Sequence, residues 1–196
     1  MTDWQYQLKR GHSDTPENGS CAMDAVNWLV HGVHGDAPEC ASPVIRAFVI
    51  SGNDHMDNVT RQRFIPFLHR IAGSHAFEHE RTRASISVAA AASVFLPLAS
   101  VHNKKAAKLA MDHAAACLSW QIEGAAKWAA MVAHFAALSS RKSHTSAVWD
   151  AYFVVLDEML RAGPEGEPWS ADAIETGHAA YRNAGGLDDG VLVAET

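Results

Sequence analysis

The sequence carries few of the patterns that announce a chemistry. It has no glycine-rich phosphate loop, no dinucleotide-binding glycine fingerprint, no Gly-x-Ser-x-Gly elbow and no EF-hand loop. Glycines do gather in the stretch AGGLDDG near the C-terminus, but no strand pattern precedes it. Cysteine is scarce. Cys21, Cys40 and Cys117 are an odd set with no Cys-x-x-Cys pair, so a disulfide framework is excluded. The opening MTDWQYQLKRGHSD contains no apolar core of a secretory signal. The longest apolar run, Ser87 to Val101, is rich in weakly hydrophobic alanine, contains Pro97 and is short of the ~20 residues a membrane span needs. The expectation is a cytoplasmic protein with reduced thiols and no membrane partner.

Positive charge is also in short supply. Sixteen Lys and Arg stand against 22 Asp and Glu, a formal net charge of -6. A broad nucleic-acid surface needs a basic face, so nucleic acid is not an expected partner. Arg61, Arg63, Arg70, Arg81 and Arg83 do fall in one part of the chain, but Glu78 and Glu80 lie among them, which describes a mixed solvated surface. Also missing is strand-like alternation of apolar and polar residues.

What is present is helical patterning over 196 residues, 48% of them hydrophobic and 19% charged, enough for a substantial core. Alanine, the strongest helix former, makes up about one residue in six. A polar, turn-rich segment runs to Gly19. A helix is expected from Ser20, whose hydroxyl suits an N-cap, to Gly32. Ser42-Pro43 opens a second helix with Val44, Ile45, Phe48 and Val49 buried, closed by SGNDHMDN with an Asx turn at Asn53-Asp54. A third spans about Val59 to Ala72, bent at Pro66 and stopped by Gly73. A fourth spans about His75 to Val101. Asn103 is a candidate N-cap for an Ala-rich stretch to Leu138, read as two helices or one bent near Gly124, with Leu118, Trp120, Trp128 and Phe135 as its bulk. Another helix spans Ser146 to Ala162, stopped by Gly163-Pro164, and a last one follows Ser170. The fold expected is all-α: one bundle of about seven helices with Ala-rich central members. Residues 1–75 form its first part, 76–163 the Ala-rich bundle, and 164–196 a C-terminal helix and tail.

Cys21, at the head of the first helix, is the first residue with chemical potential. A helix N-terminus lowers a thiol pKa, and a nucleophilic cysteine then needs a histidine and an orienting carboxylate or amide. The sequence has twelve histidines. His12, His34 and His55 are placed in loops near Cys21. The competing reading of Cys21 is a small core residue, which free cysteine commonly is. A zinc site from Cys21, Cys40, His31 and His34 lacks the usual short paired spacing, and no metal ligand set or cofactor is assigned. His75 and His79, and likewise His113 and Cys117, stand four apart on expected helices, without a metalloprotease motif. Asp24, Asp36, Asp54 and Asp57 are carboxylates that the first two helices can bring together.

The segments CAMDAVNWL, GDAPECASPVIRAF, Asn53-Asp54 and RQRFIPFLHRIAGS, followed by WAAMVAHFAAL and VVLDEMLRAG, resemble a family of uncharacterised proteins from actinobacteria, other bacteria and phages. The resemblance is specific over residues 10–75 and loose beyond them. Ala37 stands where the family has His, and Ser42 where it has a second Cys, so any metal ligands those residues provide in relatives are absent here. Asp36 and Asp54 match motif positions, and Asp24 matches a family Glu. The resemblance implies no activity; phage-borne relatives suggest a regulatory or host-interaction role.

Two functions follow as expectations. The first is a non-enzymatic helical protein that binds a protein partner or its own copies, with Asn53, Asp54 and Arg61 as candidate binding residues and exposed Trp or Phe as anchors. The second is a cysteine- or metal-dependent hydrolase, with Cys21, Asp24, His34 and Asp36 as candidate catalytic residues.

Overall fold

The computed structural model describes residues 7–11, 18–138 and 141–164. The fold is all-α; among the described residues the sole β feature is an isolated parallel bridge between Leu8 and Ser20. The final helix expected after Ser170 and His12 lie outside the described residues.

Helix α1 (Ala22–His31) is capped by Cys21, not by Ser20: the Cys21 sulfur accepts from the Asp24 amide at 3.3 Å. The shift by one residue has a cause in the backbone. Lys9 N–H donates to the Ser20 carbonyl (2.7 Å) and Ser20 N–H to the Gln7 carbonyl (3.3 Å), which holds Ser20 in the extended bridge. Gly32 ends α1 in the left-handed conformation (φ 64°), as a glycine there can without strain. Helix α2 (Pro43–His55) opens on Ser42, whose hydroxyl accepts from Ile45 N–H. It runs through SGNDH rather than stopping at an Asx turn, because Asn53 turns its side chain inward and is fully buried.

The third expected helix is broken around Pro66 into α3 (Asn58–Arg61), a 3-10 segment (Gln62–Phe67) and α4 (Leu68–Ala72). Proline cannot supply the amide that a continuous helix requires. Gly73 follows at φ -99°, so no left-handed turn closes it. Helix α5 (Glu80–Ala90) widens into a π turn (Ala91–Phe95) before α6 (Leu96–Leu98), absorbing Pro97. His75 precedes the short 3-10 turn Phe77–His79, so His75 and His79 do not share an α-helical face. Helices α7 (Lys104–Cys117) and α8 (Ile122–Ala137) are separate, and α9 (Lys142–Arg161) closes the described chain. Asn103 precedes α7 without capping it; its amide instead donates to the Leu138 carbonyl at 2.6 Å.

Helix α8 is the axis. Its Ala125, Ala126, Ala129, Ala130, Ala133 and Ala136 are buried, and such small side chains let neighbours come close on several sides. Helices α2, α5, α7 and α9 pack on it. Side-chain links fix their directions. Arg46 meets Glu123 (3.4 Å), so α2 and α8 begin at the same end. Arg81 donates to the Leu118 carbonyl (3.1 Å), so α5 begins there too, beside the α7–α8 turn. Arg83 donates to the Met159 carbonyl (3.1 Å), so α9 ends there. Thus α2, α5 and α8 run parallel, with α7 and α9 antiparallel to them.

Large core side chains come mostly from outside the Ala-rich stretch: Trp28, Phe48, Phe64, Phe95 and Tyr152. Phe48 and Tyr152 stack (centroids 4.3 Å apart), and the Tyr152 hydroxyl donates to the Phe48 carbonyl at 2.6 Å. That approach requires Gly52, where any Cβ would overlap the tyrosine hydroxyl. Trp120 does not contribute bulk to the bundle; it sits in the α7–α8 turn and is 72% exposed.

Candidate functional site

The start of α1 and the end of α2 meet through Asn53. Its Oδ1 accepts from Ala22 N–H (3.3 Å) and its Nδ2 donates to the Lys9 carbonyl (3.0 Å). Arg61, also buried, binds the end of α2 from the other side. Its Nε donates to the Asn53 carbonyl (2.7 Å), Nη2 to the Met56 carbonyl (2.5 Å) and Nη1 to the Asn58 amide oxygen (2.6 Å). These carbonyls belong to the orphaned acceptors of a helix C-terminus, and a guanidinium suits them in charge and shape. Burial lowers the Arg61 pKa, while the Asp54 and Asp57 charges work in the opposite direction. Both residues therefore use most of their polar atoms inside the protein. Asp54 and Asp36 are partly exposed.

Asp24 stands beside both Cys21 and His34. The loop after Gly32 folds back along α1, the His34 ring packs near Trp28 (centroids 5.8 Å), and His34 Nε2 lies 3.9 Å from Asp24 Oδ1. Asp24 is fully buried, whereas the His34 side chain is 43% exposed. Burial first, and the Asp24 charge second, push the Cys21 thiol well above its ordinary value. The first-turn amides act the other way and are outweighed, so the resting sulfur is a neutral thiol. Burial also raises the Cys40 thiol.

Asp57 caps α3. Its Oδ1 accepts from Val59 and Thr60 N–H, each at 2.9 Å, and Oδ2 from the Thr60 hydroxyl at 2.8 Å. Those donors hold its pKa below the ordinary carboxyl value.

Beside this region opens a cleft of about 460 Å³ between the ends of α2 and α8 and the start of α9, lined by His55, Asp57, His134, Leu138, Thr145 and Trp149. His55, expected in a loop, is the last residue of α2, and its Nδ1 lies 2.7 Å from the Ser51 carbonyl. A carbonyl only accepts, so Nδ1 carries a proton, and in the neutral ring it is Nε2 that presents the lone pair. The His134 ring is 4.1 Å from it, centroid to centroid, tilted by 43°. Burial, then His55 and Arg10, lower the His134 pKa to about 4. His134 was not among the sequence candidates. It sits 79 positions from His55, and no motif links two helices that happen to end together.

Among the described residues, no group of three or more His, Cys, Asp or Glu side chains converges to hold a metal, and no helix is long and apolar enough to cross a membrane. No protein-family model, curated protein or solved structure matches the chain.

At the opposite end of the bundle, Phe77 and Trp120 are 87% and 72% exposed. Phe77 lies one helical turn before Arg81, whose guanidinium bonds the α7–α8 turn that carries Trp120. Two large aromatics thus stand on the same end of the molecule.

Proposed function

We propose that this protein works by binding another protein, a second copy of itself included, through the end of the bundle that carries Phe77 and Trp120. The observation behind this reading is the pair of exposed aromatics on one end. Aromatic side chains are the commonest energetic anchors of protein interfaces. Covering both would contribute roughly 3–6 kcal/mol, from ~1.5–3 kcal/mol for each side chain. The rim is polar, with Arg46, Arg81 and Glu123 nearby, as an interface rim is. The resemblance to phage and bacterial proteins favours a regulatory or host-interaction role in the cytoplasm. The test is affinity isolation of the full chain from the cells that make it, beside a Phe77→Ser, Trp120→Ser variant. The variant is expected to keep its circular dichroism and lose the partner. An unchanged set of partners would remove this reading.

A second reading rests on the juxtaposition of Cys21, Asp24 and His34. A hydrolase centred there would pass the thiol proton to an imidazole, attack an acyl carbon through sulfur, break the bond to the leaving group as the imidazolium returns the proton to it, and then let water cleave the thioester to free the acid and restore the thiol. The neutral, buried thiol weighs against it at rest. Fast alkylation of Cys21 in the folded protein below neutral pH supports this reading; alkylation only on unfolding ends it.

A further inference from the structure

We propose that the His55–His134 pair binds a borderline divalent transition-metal ion of the zinc class, through one ring nitrogen from each histidine, with water completing the coordination. Three observations carry it. The rings already touch, at 4.1 Å between centroids. Two imidazoles sharing one zinc at ~2.0–2.1 Å would have centroids roughly 4.5–5.2 Å apart, so the pair needs to open by about 0.4–1.1 Å. Rotation about the broad terminal torsion of His134 supplies such a change while His55 keeps its bond to Ser51.

The second observation is the tautomer. His55 Nδ1 bonds the Ser51 carbonyl, the arrangement by which metal-binding histidines are oriented and made more basic. Its Nε2 lone pair is the ligand. His134 lines the same cleft from the end of α8.

The third is the cleft itself. Asp57 lines it as a carboxylate, supplying negative charge and a partner for bound water, although its oxygens already accept three hydrogen bonds. Arg10 acts against a cation. Leu138 and Trp149 form an apolar wall. With two protein ligands rather than four, the site is an exchangeable one and not a structural zinc core. It lies at the opposite end of the bundle from Phe77 and Trp120 and does not depend on that reading.

The experiment uses the full chain without a histidine tag, titrated with zinc and followed by native mass spectrometry and calorimetry. The expected result is one ion per chain. His55→Gln and His134→Gln should each weaken binding by more than about tenfold, since loss of even an outer partner of a metal ligand costs ~10–100-fold. His102→Gln and His113→Gln should bind as the wild type does. Zinc-induced NMR shifts confined to the His55 and His134 rings give a readout in the unmodified protein, should a variant misfold. No retained ion, equal retention by the His55 and His134 variants, or ring shifts at other histidines instead would overturn the proposal.

Discussion

Replacing Arg83 by Ala should be among the most damaging single changes in the described chain. Arg83 is fully buried and donates to the carbonyls of Ser74, Met159 and Pro164 and to Glu80 Oε1. Glu80, 2% exposed, uses its other oxygen to accept from the Ser42 hydroxyl (2.5 Å) and Val44 N–H (3.3 Å) at the start of α2. The pair thus ties α2, α5, α9 and the Ser74 turn together. Removing the guanidinium leaves a buried carboxylate without its cation, at about 3–5 kcal/mol. For a chain of this size that lowers Tm by roughly 6–20 °C. Urea unfolding followed by far-UV circular dichroism measures the loss. The Glu80→Ala, Arg83→Ala double variant should be more stable than the sum of the single losses by roughly 1–3 kcal/mol, because both charges leave together. A loss below about 1 kcal/mol for Arg83→Ala, or strict additivity of the pair, would refute this reading of the network.

Gly52→Ala should destabilise by at least about 2 kcal/mol in urea, because the new methyl displaces Tyr152 and its bond to Phe48. His134 has a folded pKa near 4, below the ordinary histidine value, so its contribution is present above pH ~6.5 and is lost as pH falls through the folded value. His134→Gln should therefore flatten the stability profile between pH ~6.5 and ~4, as pH-dependent denaturation would record. Cys21→Ser should keep the α1 cap, whereas Cys21→Ala should cost about 1 kcal/mol, and iodoacetamide should label Cys21 only as the protein unfolds.

The helical class was legible because its signals are local. Ser42-Pro43, Pro66, Pro97 and Gly163-Pro164 act within a turn or two of themselves, and each marks a boundary or a distortion in the structure. The cap of α1 was misplaced by one residue because a distant bridge to Leu8 governs Ser20. Asn53-Asp54 has the composition of a turn, yet the buried amide of Asn53 has two long-range partners that keep it in the helix. Trp120 was expected to fill the bundle because hydrophobic mass alone does not tell which side of a turn faces the core. Cys21, Asp24 and His34 are close in sequence, and in the fold Asp24 lies beside each of the other two. His55 and His134 meet only because α2 and α8 are parallel and end together, a relation set by tertiary packing.

The central claim is that the Phe77–Trp120 end is an interface, and site-specific photo-crosslinking tests it most directly. A photoreactive amino acid would be placed at position 77, at position 120 and, as a control, at exposed Val59 beyond the far end of α2. Positions 77 and 120 are predicted to crosslink in cells to one and the same protein, whether a second copy of this chain or another, while position 59 does not. Absence of a crosslink at both aromatic positions, or the same products from all three, would contradict the account.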